Sequence, residues 1–172
     1  MKTVIVVLGL AGALTVQGIL SGLFMGAAMG VNLVLVAVVY LALAYGATTG
    51  LLAGAMGGLV QDALGGGIVG LGGMTKTTVG FLVGVLSAQF NLSTTVPRLV
   101  MFVAATFVHE VMFTGLQAIA GGRHFSLKLS AVLLQALVNG LIGVFAFLLV
   151  ENGPQVVANR RMRRASLSKR RF

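Results

Sequence analysis

Apolar runs fill most of the chain between Thr3 and Val150, and short clusters of glycine, asparagine, proline or charge separate them. The runs are continuous rather than alternating, which is the signature of helices and not of barrel strands. A helix that crosses a bilayer needs roughly 20 apolar residues. On that measure the pattern predicts spans over about 3–23, 31–45, 47–64, 75–90, 96–120 and 127–150. Pro97 suits the first turn of the fifth. The stretch Val31–Leu64 is broken near Gly46 and is short for two full spans, so five spans are the alternative to six. The first run has a basic residue ahead of it (Lys2) and small residues at Ala11–Gly12–Ala13, as a signal peptide would. Its apolarity continues well past those residues, and it is read as a retained span.

Composition sharpens this picture. Of 172 residues, 58% are hydrophobic and 9% charged, against about 25% charged in a soluble domain. There is too little polar surface to cover a water-soluble protein of this size. Backbone groups inside hydrocarbon must pair internally, so an all-α, polytopic transmembrane bundle over residues 1–150 is expected. Residues 151–172 form a polar tail with seven of the twelve basic residues: Arg160, Arg161, Arg163, Arg164, Lys169, Arg170 and Arg171. The positive-inside rule places that tail in the cytoplasm. Lys2 favours the same side for the N-terminus, and two termini on one side require an even number of spans. The tail should also attract anionic lipid headgroups. It lacks the aromatic platforms that single-stranded nucleic acid would need, Phe172 apart, so no nucleic-acid partner is expected.

The glycines fall into two patterns. Gly18, Gly22, Gly26 and Gly30 recur every fourth residue, as do Gly46, Gly50, Gly54 and Gly58, and then Gly80 and Gly84. Glycines at this spacing share a helix face and let another backbone approach closely, within the bundle or on a partner's helix. Around Gly65, Gly66 and Gly70 the spacing changes to that of a compact turn. Thr75 or Thr77 is expected to cap the next helix. Asp62 and Lys76 each sit at the unfavourable end of their own helix, so an ion pair across the turn is expected.

Chemistry-bearing residues are few. The absence of cysteine removes disulfides and thiolate metal sites. Two histidines and three acids are too sparse for a metal cluster or a paired-carboxylate active site, and the glycine-rich stretch lacks the order of a P-loop. No enzyme and no cofactor are expected. One polar stripe remains, Thr106, Glu110, Thr114 and Gln117, at helical spacing on the fifth span, with His109 beside Glu110. An acidic residue at mid-span costs about 2.5–3.5 kcal/mol on insertion scales, so it must be neutral, paired or facing a wet cavity. Gln135 and Asn139 lie one turn apart on the sixth span. If the two spans are antiparallel neighbours, Glu110 and Asn139 should meet at similar depth, with Gln17 as a further member. Three uses are open for the stripe: hydrogen bonds between helices, contact with a partner helix, or a proton or substrate site.

The run from Val31 to Gly84 resembles the core of the MreD family, the bacterial rod shape-determining membrane proteins. The resemblance lies in an apolar helix ending in Tyr40–Leu41–Ala42–Leu43, a glycine-rich helix over Gly50–Gly58, then Asp62, Gly66, Gly70 and Lys76. Leu137–Val138–Asn139–Gly140, followed by an apolar run and a basic end, resembles the family's last span. Gly30–Val31–Asn32 stands where the family has a proline. The resemblance implies a non-catalytic scaffold of the cell-elongation machinery in the bacterial cytoplasmic membrane. It implies partners too: an MreC-like membrane protein, a RodA-type glycosyltransferase with its class B penicillin-binding protein, and indirectly MreB filaments. The family is similar in fold to the substrate-binding components of ECF-type vitamin transporters, which supplies a rival function. A vitamin pocket calls for converging aromatic and polar groups, and this chain has no Trp and two Tyr. A small proton-coupled transporter using Glu110 is the third alternative.

Overall fold

The structure, a computed structural model, describes the backbone of residues 2–23, 31–66, 68–90, 94–121 and 127–169, and side chains within 3–22, 31–66, 68–90, 94–121 and 127–150. These residues form six helices and no strand: α1 (Lys2–Leu23), α2 (Leu33–Tyr45), α3 (Ala47–Gly65), α4 (Leu71–Gln89), α5 (Thr95–Gly121) and α6 (Leu129–Lys169). The protein is thus an all-α membrane bundle. Four helices are long and apolar enough to cross a bilayer: Thr3–Gly22 within α1, then α4, α5 and Leu129–Val150 within α6. At about 1.5 Å per residue, α2 is only about 20 Å long, and α3 trades apolarity for glycine. The number of crossings therefore lies between four and six. Gly26 and Gly30 lie outside the described residues, and the basic side chains of the tail lie outside the described side chains.

Successive helices run antiparallel wherever their contacts are traced. Leu10 of α1 packs with Val38 and Leu41 of α2, while Gln17, further along α1, reaches back to Val34 at the start of α2. Gly46 joins α2 to α3 as a single residue with φ +90°, in the left-handed region that favours glycine. Between α3 and α4 the glycines set the register. Gly50 lies against Gly80, Gly54 against the Lys76–Thr77 peptide, and Gly58 against Gly72 and Gly73, while Gly84 lies on Ala47. Backbone meets backbone along the whole seam, as the four-residue glycine spacing permits. On the other side of α4, Val79 and Val83 join Leu35 and Val39 of α2, Phe102 of α5 and Phe147 of α6 in the main buried cluster. Gly143 leaves room for the Phe102 ring, and Gly140 for Leu99. Where α5 begins, the Arg98 guanidinium lies 4.4 Å from the Phe147 ring centre, and the Tyr40 ring lies 4.6 Å from it.

Three expectations need correction. A Cβ on Gly18 or Gly22 would meet nothing within van der Waals range among the described residues, because α1 meets α2 through the face that carries Val6, Leu10 and Gln17. Gly46 serves as the turn rather than as a packing face. Helix α4 begins at Leu71, after a left-handed Gly70 with φ +107°, so Thr75 and Thr77 lie inside the helix, where each hydroxyl donates to the carbonyl four residues back.

A methyl group on Gly54 would overlap the Lys76 carbonyl and the Thr77 amide. Gly54→Ala is therefore expected to destabilise the protein by about 1–3 kcal/mol, the usual cost of overpacking. Gly18→Ala, with open space around it, should stay within about 0.5 kcal/mol of the parent. Thermal unfolding in one detergent compares the two, and equal midpoints would contradict the glycine seam.

Candidate functional site

Two helices, α2 and α4, start at the same end of the bundle, and side chains from elsewhere meet their first N–H groups. The first N–H groups of any helix lack partners within it. At α4 they are met by Asp62, on the last turn of α3. One carboxylate oxygen, Oδ2, accepts from the N–H groups of Gly70 at 2.9 Å, Gly72 at 2.8 Å and Gly73 at 3.1 Å. Gly66, left-handed at φ +66°, ends α3 and begins the turn, with Gly65 as the last helical residue. Gly72 must be glycine for a further reason: a Cβ there would collide with Asp62 Oδ1. The expected Asp62–Lys76 ion pair does not form, because Asp62 is committed to the backbone. Its charge is unfavourable for α3 but complements the positive end of α4.

At α2 the donors go to three side chains. Asn32 N–H donates to Asn139 Oδ1 of α6 at 3.1 Å, Val34 N–H to Gln17 Oε1 of α1 at 3.2 Å, and Leu35 N–H to the Asn32 side chain at 3.0 Å. Asn139 is fully buried and also donates through Nδ2 to Thr106 Oγ1 of α5 at 3.4 Å. One asparagine thus joins three helices. Gln17 does not reach Glu110. Nor does Glu110 meet Asn139: the α5–α6 register pairs Thr106 with Asn139, and Glu110 with Gln135 one turn away.

Between these two helix starts lies a chain of polar side chains. Lys76 is 3% exposed and His109 2% exposed. The Lys76 ammonium lies 3.4 Å from His109 Nε2, and His109 Nδ1 lies 3.2 Å from Glu110 Oε1. The same Glu110 oxygen accepts from Gln135 Nε2 at 2.8 Å. Lysine can only donate, which makes Nε2 the acceptor and places the imidazole proton on Nδ1, facing Glu110. Phe113 stacks on the His109 ring, with planes 11° apart and centres 5.7 Å apart.

Asp62, Lys76, His109, Glu110 and Phe113 border a half-open cleft of about 330 Å³, whose walls also include Asn32, Gln61, Gly65, Ile68 and Gln117. Of the residues singled out in the sequence, the cleft brings together Asp62, Gly65, Lys76, His109, Glu110 and Gln117, and leaves Asn139 behind its wall. Thr114 is not among its lining residues. Gln61 and Phe113 were not legible as site residues. Gln61 carried one signal, a second polar residue next to Asp62 on an otherwise apolar helix end. The lining offers donors, acceptors and charges of both signs but, among the described residues, no hydroxyl or thiol nucleophile.

No protein-family model matches the chain, and no curated protein or solved structure compared with it matches either.

Removing the Asp62 carboxylate leaves three N–H groups without that partner. Asp62→Ala is expected to cost about 1.5–3 kcal/mol, the range for hydrogen bonds to a charged group. Faster amide hydrogen exchange at Gly70, Gly72 and Gly73 should accompany the loss. Exchange at those three amides equal to the parent's would contradict the capping role.

Proposed function

We propose that the protein is a non-catalytic membrane scaffold of the MreD type, acting in bacterial cell elongation. The observation that carries this reading is that the residues bearing the resemblance between Val31 and Gly84 form one structural unit. Tyr40–Leu43, the Gly50–Gly58 face, Asp62, Gly66, Gly70 and Lys76 all fall on α2, α3, α4 and the turn that Asp62 closes. A backbone-to-backbone hairpin has few ways to deform, which suits a part that holds others in place. In this reading the protein sits in the cytoplasmic membrane and binds an MreC-like protein and the RodA-type synthase with its class B penicillin-binding protein. The antiparallel order puts the start of α1 and the end of α6 at one end of the bundle, opposite the cleft. With the basic tail in the cytoplasm, the cleft then faces the outer side. Anionic lipids meet the tail on the inner side.

A second reading, a substrate-binding component of a vitamin transporter, draws on the cleft itself. Deleting the gene in its own host separates the two. The scaffold reading expects rounded cells with lateral wall synthesis no longer confined to the cylinder, restored by the intact gene. Rod-shaped cells of normal width that have lost uptake of a vitamin would overturn it in favour of transport.

A further inference from the structure

We propose that the cleft beside Lys76 is a binding site for a small zwitterion, a molecule that carries an ammonium and an acidic group close together. The inference rests on neither functional reading and goes beyond both.

It starts from two buried groups with unspent hydrogen-bonding capacity of opposite sense. Gln61 Oε1 is buried and has no hydrogen-bond partner among the described residues. An acceptor left so in a membrane protein is costly, and such groups are normally met by protein, water or ligand. The Lys76 ammonium has three N–H donors, and among the described residues its side chain has one hydrogen-bond contact, with His109. Both Gln61 and Lys76 line the same cleft. A molecule that fits must therefore offer a donor to one and an acceptor to the other.

Charge narrows the class. The lining carries one cationic side chain, Lys76, and two carboxylates, Asp62 and Glu110; Asp62 is offset by the positive end of α4, which leaves Lys76 and Glu110 to balance each other. Asp62 spends Oδ2 on the α4 amides, which leaves Oδ1, lying against Gly72, as an acceptor. Glu110 spends Oε1 on His109 and Gln135. Bringing a net charge into such a site is expensive, whereas a zwitterion adds none. Its ammonium matches the Gln61 and Asp62 oxygens, and its acidic group matches Lys76. A volume of about 330 Å³ lies at the small end of ligand pockets, which suits a molecule of amino-acid size. The stacked Phe113 and His109 rings supply one flat wall. Two sources carry this chemistry: a free amino-acid-like zwitterion, or the phosphoethanolamine headgroup of a membrane lipid.

The test uses the full chain, purified in detergent and followed by thermal unfolding and calorimetric titration. The probes are L-alanine and glycerophosphoethanolamine, a phosphodiester with no net charge, with ethanolamine and inorganic phosphate as the separate halves. A saturable rise in midpoint is expected with at least one zwitterion, at least about tenfold tighter than with either half, one decade being about 1.4 kcal/mol. Nanodiscs with and without phosphatidylethanolamine separate the sources. Stabilisation by that lipid with no response to L-alanine assigns the headgroup, and response to L-alanine assigns the free molecule. Gln61→Leu should weaken binding about tenfold or more, as expected where a polar partner is removed. Gln61→Glu should strengthen binding of ethanolamine. Lys76→Met should abolish the preference for zwitterion over amine, and if that variant does not fold, the two Gln61 variants decide alone. No saturable response to either zwitterion or to the lipid, or binding unchanged in Gln61→Leu, would overturn the proposal.

Discussion

In a bilayer, water cannot satisfy an N–H group at the start of a helix, and this structure is organised around that fact. An unpaired backbone group in hydrocarbon costs several kcal/mol. Long helices can place their ends at the interface, but α2 is too short to do so at both ends, and α4 begins at a tight turn. Both starts are therefore met by side chains, most of them brought from outside the helix they serve. Asp62 serves α4, while Asn139, Gln17 and Asn32 serve α2. These bonds connect α1 to α2, α2 to α6 and α3 to α4. The need to satisfy two helix ends thus also fixes how the helices stand against one another.

The glycine seam makes this possible. Lipid tails are as apolar as leucine, so apolar burial drives helices together far less than it does in water, and close packing and hydrogen bonds carry association. Glycines on both sides bring α3 and α4 into backbone contact, and only that register sets the Asp62 oxygen over three successive donors of the turn. The same register faces Lys76 away from the seam toward His109. Lys76, His109, Glu110 and Gln117 are thereby gathered on one side, where the cleft lies. The large apolar side chains exposed along α1, α5 and α6 are the complement of this arrangement.

Features that depend on a single helix were legible in the sequence, and those that depend on two were legible only in part. The runs of apolar residues marked the ends of the six helices to within a few residues except at two: α4 starts four residues earlier than expected, and α6 continues past Val150 to Lys169. The early start of α4 and the misplaced cap share one cause. Thr75 and Thr77 are good N-cap residues by type, but Asp62 is held close enough by the glycine seam to serve instead, and no local signal announces it. Likewise, similar depth was enough to place Glu110 near the sixth helix. Only the observed stagger pairs it with Gln135 and gives Asn139 to Thr106. The string at Gly18 and Gly22 had the same spacing as the seam but lies off the face that α1 buries. Spacing shows that a face is smooth, not that anything lies against it. The cleft was least legible, since its walls come from three helices, the α3–α4 turn and the residue that caps α2.

The most direct check of this account is a distance measurement across the seam in a membrane. Glycine-specific carbon labelling with magic-angle-spinning NMR in lipid bilayers reads it, because glycines contribute both sides. Through-space contacts are expected between Gly50 and Gly80 and between Gly58 and Gly73, with none between Gly18 and any glycine of α3 or α4. A spectrum without the two seam contacts, from folded protein in bilayers, would contradict the backbone-to-backbone hairpin and with it the placement of Asp62, Lys76 and the cleft.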